Sequence, residues 1–77
     1  MTHIEVLGPG CSKCNVLFEH AEQAARELGL EYDIRKITDI TVIMGYGVMS
    51  TPALVVNGEL KFSGRVPSAE QLKGVLS

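Results

Sequence analysis

Apolar and polar positions change their spacing several times along the chain, and each change predicts an element. Residues 3–7 form a short apolar run interrupted by Glu5. It reads as a strand ended by Gly8-Pro9-Gly10. From Cys11 to about Leu28 the period lengthens. Cys14, Leu17, Phe18, Ala21, Ala24, Ala25 and Leu28 recur at the spacing of one helix face. Glu19, Glu22, Gln23, Arg26 and Glu27 lie off that stripe. The alanines suit close packing on a sheet, and Gly29 is a natural helix stop. Residues 30–37 alternate, with Tyr32 and Ile34 on the inward side of a second strand. A helix between two strands predicts a right-handed parallel β-α-β unit.

Residues 38–44 are ambiguous. Thr38, Ile40, Thr41, Val42 and Ile43 are all β-branched, which favours a strand. Thr38 or Asp39 could instead cap a short helix with Ile40, Ile43 and Met44 on one face. The helix is the expectation, because it completes the architecture below. Gly45-Tyr46-Gly47 then breaks the segment. Residues 53–57 are nearly all apolar, as in an interior strand. Asn57-Gly58 signals a hairpin into a return strand at 60–63. Ser68-Ala69-Glu70-Gln71 is a capping box, and Ala69, Leu72, Val75 and Leu76 form the apolar face of a closing helix. No repeat, linker or low-complexity stretch interrupts the pattern.

The chain has 77 residues, which predicts one domain over 1–77 with a modest core. The net charge is −2, without a basic patch, so nucleic-acid binding is not expected. No apolar run approaches the ~20 residues of a membrane helix, and no secretory signal is visible. The expectation is a monomer in the cytoplasm. There a vicinal cysteine pair more often serves catalysis or metal binding than stapling.

Both cysteines, Cys11 and Cys14, fall at the start of the long helix. Residues three apart on a helix are neighbours, so the two sulfurs can meet. The helix start supplies unpaired N–H groups and partial positive charge, which favour a thiolate. A cysteine of pKa about 8.5 is only about 3% thiolate at pH 7, whereas one tuned to about 7 is roughly half thiolate. The helix stripe separates their roles: Cys14 belongs to the buried face, and Cys11 sits at the open edge. Cys11 is thus the expected nucleophile and Cys14 the resolving thiol. Lys13 stands beside Cys11 and could stabilise its thiolate, or simply point to solvent. His3 and His20 are read as solvated, and no metal site is expected. Gly8 and Gly10 make no phosphate loop, because no Gly-Lys-Ser/Thr follows. Tyr46, Val48 and Met49 could border the cysteines and meet a partner, or could be loop packing.

The order of elements, the C-x-x-C at the first helix, Thr51-Pro52 about forty residues on, the Asn-Gly hairpin and the closing helix together resemble the thioredoxin/glutaredoxin superfamily. The chain looks most like its small redox-active disulfide proteins of bacteria and archaea. The resemblance covers the whole chain. It implies an α/β minimal thioredoxin fold, β-α-β-α-β-β-α, with a four-stranded mixed sheet and helices on both faces. It makes Cys11 the nucleophile and Cys14 the resolving cysteine, and matches Pro52 to the family's cis-proline. The residues alone would favour a trans bond there. Thr51 is implied to pair its backbone with an extended substrate. Glu5, six residues before Cys11, resembles the family's buried acid, which can accept the resolving thiol's proton. The competing reading is a solvated glutamate. Ser12-Lys13 differs from the Gly-Pro of thioredoxins and the Pro-Tyr of many glutaredoxins. There is no tryptophan, and Ser63-Gly64-Arg65 replaces the Gly-Gly pair that glutaredoxins use for glutathione.

The implied function is a small thiol–disulfide oxidoreductase acting on protein disulfides, recharged by a reductase or thiol pool and needing no cofactor. The alternatives are a soft-metal carrier of the heavy-metal-associated type, which also places C-x-x-C between a first strand and helix, and a redox-sensing binding module.

Overall fold

A computed structural model describes residues 1–8, 12–48 and 50–76. Its elements are β1 (Thr2–Leu7), α1 (Ser12–Glu27), β2 (Tyr32–Ile37), α2 (Ile40–Gly45), β3 (Ala53–Val56), β4 (Glu59–Ser63) and α3 (Ala69–Leu76). The strands form one mixed sheet in the order β2-β1-β3-β4. β1 and β2 are parallel, with Ile4 opposite Ile34, and the other neighbours are antiparallel. This is the minimal thioredoxin-like arrangement that the element order implies.

Local chemistry sets the boundaries. The Leu30 N–H donates to Ala25 O at 3.1 Å and the Gly29 N–H to Arg26 O at 3.0 Å. These two bonds close α1 on its last carbonyls. They also occupy the Leu30 N–H, so β2 begins at Tyr32 and not at residue 30 as the alternation suggests. Asp39 caps α2 by accepting from the Thr41 N–H at 2.9 Å. Asn57 and Gly58 both have positive φ, 52° and 82°, the geometry of a primed hairpin turn that suits Asn-Gly. The capping box forms: Gln71 Oε1 accepts from the Ser68 N–H at 3.0 Å, and Ser68 Oγ from the Gln71 N–H at 3.3 Å.

The sheet buries different layers on its two faces. Ile4, Val6, Leu54 and Val56 meet α1 and α3, where Leu17, Ala21, Ala24 and Leu72 complete the larger core. The alanines let α1 lie close to the strands. Lys73 Nζ bonds Glu27 Oε1 at 2.6 Å across the tops of α3 and α1. Leu7, Ala53 and Val55 face the other way and meet Ile43 of α2. The expected α2 face of Ile40, Ile43 and Met44 is corrected here. Only Ile43 is buried, while Ile40 and Met44 are 57% and 67% exposed. A helix of six residues makes fewer than two turns, so a single side chain reaches the sheet. α2 also runs through Gly45, and Tyr46 caps it by donating its N–H to Ile43 O at 3.1 Å.

These layers predict unequal costs. Leu54→Ala is expected to destabilise by about 3 kcal/mol and Met44→Ala by less than about 0.5 kcal/mol, read by urea unfolding. Similar costs for both would contradict the one-sided burial of α2.

Candidate active site

Cys14 stands in the first turn of α1 and is fully buried. Its position depends on the end of β1. A Cβ built on Gly8 would lie 2.1 Å from Cys14 Sγ and 3.2 Å from Cys14 Cβ. No side chain fits there, so glycine is the residue that lets the sulfur sit on the strand backbone. The Gly8 N–H is held by Ile37 O at 2.9 Å, which fixes that backbone to β2. The same point is 3.9 Å from Thr51 Cβ. Cys14 and Thr51 therefore flank one spot at the C-terminal end of β1.

The Thr51–Pro52 peptide bond is cis, and Pro52 is buried. Pro52 O accepts from the Gly64 N–H at 2.8 Å, tying this bend to the end of β4. Between these parts runs a groove of about 350 Å³. Its lining comes from three segments: Ser12, Lys13 and Val16 of α1, Thr51 and Pro52 before β3, and Gly64, Arg65 and Val66 after β4. Lys13 is exposed on its rim. Cys11, with Pro9, Gly10 and Met49, lies outside the described residues.

Glu5 stands elsewhere. Successive strand residues point to opposite faces. Ile4 and Val6 face α1, so Glu5 shares the α2 face with Leu7. There its Oε1 accepts a hydrogen bond of 3.0 Å from the Tyr46 hydroxyl. The structure thus brings Lys13, Cys14, Thr51 and Pro52 together and leaves Glu5 on the other side of the sheet. The Tyr46 phenol is held above its ordinary pKa, first by this bond, then by burial and by the Glu5 charge. It remains a neutral donor that anchors the loop after α2 to β1.

Sequence reasoning missed Gly8, Arg65 and Val66 at the site and, outside it, misplaced His20. Gly8 reads as an ordinary turn glycine, since only packing reveals the close approach. Arg65 and Val66 read as a lead-out segment. His20 was expected in solvent; instead it is half-buried, and its Nδ1 lies 2.9 Å from Pro67 O. The position before the capping box brings that carbonyl back over α1.

The sequence pattern of the thioredoxin domain family matches residues 2–77, and the chain belongs to that family. A thioredoxin of Methanothermobacter thermautotrophicus is 40% identical over 77 residues, covering 100% of both chains. A thioredoxin of Methanocaldococcus jannaschii is 37% identical over 73 residues, covering 95% of this chain and 84% of the relative. The fold, the family and these relatives make the protein a thiol–disulfide oxidoreductase of thioredoxin type. Among the described residues, no helix is long and apolar enough to cross a membrane.

Two measurements probe this geometry. Gly8→Ala is expected to destabilise by about 2 kcal/mol through overpacking. In the Cys14→Ala background much of that cost should vanish, a coupling of about 1 kcal/mol in a double-mutant cycle; additive costs would show that the sulfur is not the obstacle. For Tyr46, a raised folded-state pKa means stability that is complete below the ordinary phenol value of about 10 and lost as pH rises through the folded value. Wild type should therefore lose its stability advantage over Tyr46→Phe above about pH 10. A pH-independent difference in melting temperature between the two would refute the coupling.

Proposed function

We propose that the protein reduces protein disulfides through a Cys11–Cys14 dithiol. The supporting observation is the convergence of buried Cys14, Thr51 and Pro52 on one end of the sheet, beneath an open groove. The Cys11 thiolate attacks one sulfur of the substrate disulfide. A new Cys11–substrate S–S bond forms, and the other substrate sulfur leaves as a thiolate that takes up a proton. The Cys14 sulfur, after losing its proton, attacks Cys11. The Cys11–Cys14 bond forms, and the second substrate sulfur leaves and is protonated in turn. Two electrons have passed from the protein dithiol to the substrate. A reductase or thiol pool, itself oxidised, returns them. The setting proposed is the cytoplasm, where thiols are kept reduced.

The two steps ask for different cysteines. Attack needs access and a low thiol pKa, which a helix start provides. Resolution needs a sulfur held ready but shielded from bulk oxidants, which fits the packing of Cys14 on Gly8. Lys13, which lines the groove, would favour the Cys11 thiolate by its charge. Thr51 would present its backbone to an extended substrate, and the groove would take the neighbouring side chains.

Prereduced protein mixed with insulin tests this. Cys11→Ser should abolish insulin reduction. Cys14→Ser should complete only the first exchange and accumulate a mixed disulfide, visible as a mass adduct on Cys11. Accumulation on Cys14 in the Cys11→Ser variant would reverse the roles. Wild-type rates in both variants would sink the dithiol reading.

A further inference from the structure

We propose that the groove selects disulfides carried on acidic, extended protein segments, with Arg65 as the specificity-determining residue and Lys13 as a second cation lining the same groove. The proposal rests on the dithiol reading above and names its substrate class.

The argument begins with the charges. The chain carries seven Lys and Arg against nine Asp and Glu. Arg26, Arg35, Lys61 and Lys73 each pair with a carboxylate. Lys36 donates to Asn15 Oδ1 at 2.6 Å and lies over the Phe18 ring. The remaining two, Lys13 and Arg65, have no carboxylate partner among the described residues. Both line the one groove, and none of its lining residues is acidic. In a chain with an excess of negative charge, two of the three cations without a carboxylate partner among the described residues line the same groove, and the third, Lys36, is engaged by Asn15 and Phe18 away from it.

Arg65 is also held in place. Its guanidinium stands 5.2 Å from the Phe62 ring centroid. A guanidinium over an aromatic ring still has N–H donors left for a carboxylate, which they can grip with two parallel bonds. A second depression of about 310 Å³ continues beyond Arg65 and Val66 toward Phe62 and Val75, again without an acidic lining residue. The two depressions share Arg65 and Val66. Arg65 therefore borders both depressions, which together offer a trough that reaches back to Thr51. A segment laid along it would place apolar side chains on Val16 and Val66 and a carboxylate on Arg65. A trough of this extent accepts several residues, which favours a protein segment over a small thiol.

The test uses the prereduced full chain and two disulfide-linked peptides that differ only in Glu or Gln beside their cysteines. Single-turnover reduction is followed by chromatography. The acidic peptide should react about fivefold faster at low salt. The ratio should approach one near ~1 M salt, where charges are screened within ~3 Å. Arg65→Gln and Lys13→Gln should each lower the ratio at low salt by about twofold. Lys61→Gln removes the same charge from β4 outside the groove and should leave the ratio as it was. Equal rates for the two peptides, or an equal fall of the ratio in Lys61→Gln, would overturn the proposal while leaving the dithiol reading intact. Reduction of oxidised glutathione as fast as the acidic peptide, with the same dependence on Arg65, would overturn the assignment to protein segments. Failure to reduce either peptide or insulin would overturn both readings together.

Discussion

The contact between Cys14 and Gly8 is the constraint from which the site follows. A sulfur lies where any Cβ on Gly8 would stand, so the first turn of α1 is pressed onto the end of β1. That approach is possible because the rest of the helix cooperates. Ala21, Ala24 and Ala25 are buried on the same stripe, and small side chains shorten the distance between helix and sheet along its whole length. The strand end cannot yield, because Gly8 is bonded to Ile37 on one side and β1 is flanked by β2 and β3. Cys14 is thereby set against a rigid floor, while the helix start above it opens onto the groove.

The two faces of the sheet divide the work. The α1 and α3 face carries most of the buried apolar surface, and through it most of the stabilisation. The α2 face is thinner: one buried residue of the helix, Ile43, meets Leu7, Ala53 and Val55. The polar bond from Tyr46 to Glu5 supplements that thin layer and holds the loop that leads toward Thr51. A carboxylate half-covered in this way has a donor to face, which limits the cost of partial burial. Exposed Ile40 and Met44 show how little of α2 the sheet can use.

The groove and the buried cysteine beside it are assembled from different parts of the chain. α1 brings Lys13 and Cys14, the bend before β3 brings Thr51 and Pro52, and the segment after β4 brings Arg65 and Val66. They converge because β1 and β3 are neighbours at the centre of the sheet and β4 returns alongside β3. The bond from Gly64 to Pro52 locks the last two parts together. A disulfide exchange site needs little catalytic machinery beyond a poised thiolate and a second sulfur. What distinguishes one substrate from another must then come from the walls of the groove.

Much of this was legible in the chain itself. The switch from alternating to helical spacing marked the strands and both longer helices, because each period records which side of an element meets the core. Asn57-Gly58 and Ser68-Ala69-Glu70-Gln71 carried their own turn and cap, since those bonds close within four residues. The cysteine stripe also put Cys14 inside the core. Other features depended on contacts between residues far apart, which no local spacing encodes. Periodicity separates Glu5 from Ile4 and Val6, but only the layer order sends it to Tyr46 and away from Cys14. Gly8 resembles any turn glycine until α1 is laid upon it. Lys13 and Arg65 are two unremarkable surface cations until the hairpin brings both to one groove. The sequence by itself determined which elements form and which sides they bury; the tertiary structure decided which side chains meet, because that depends on the pairing of strands and the packing of layers.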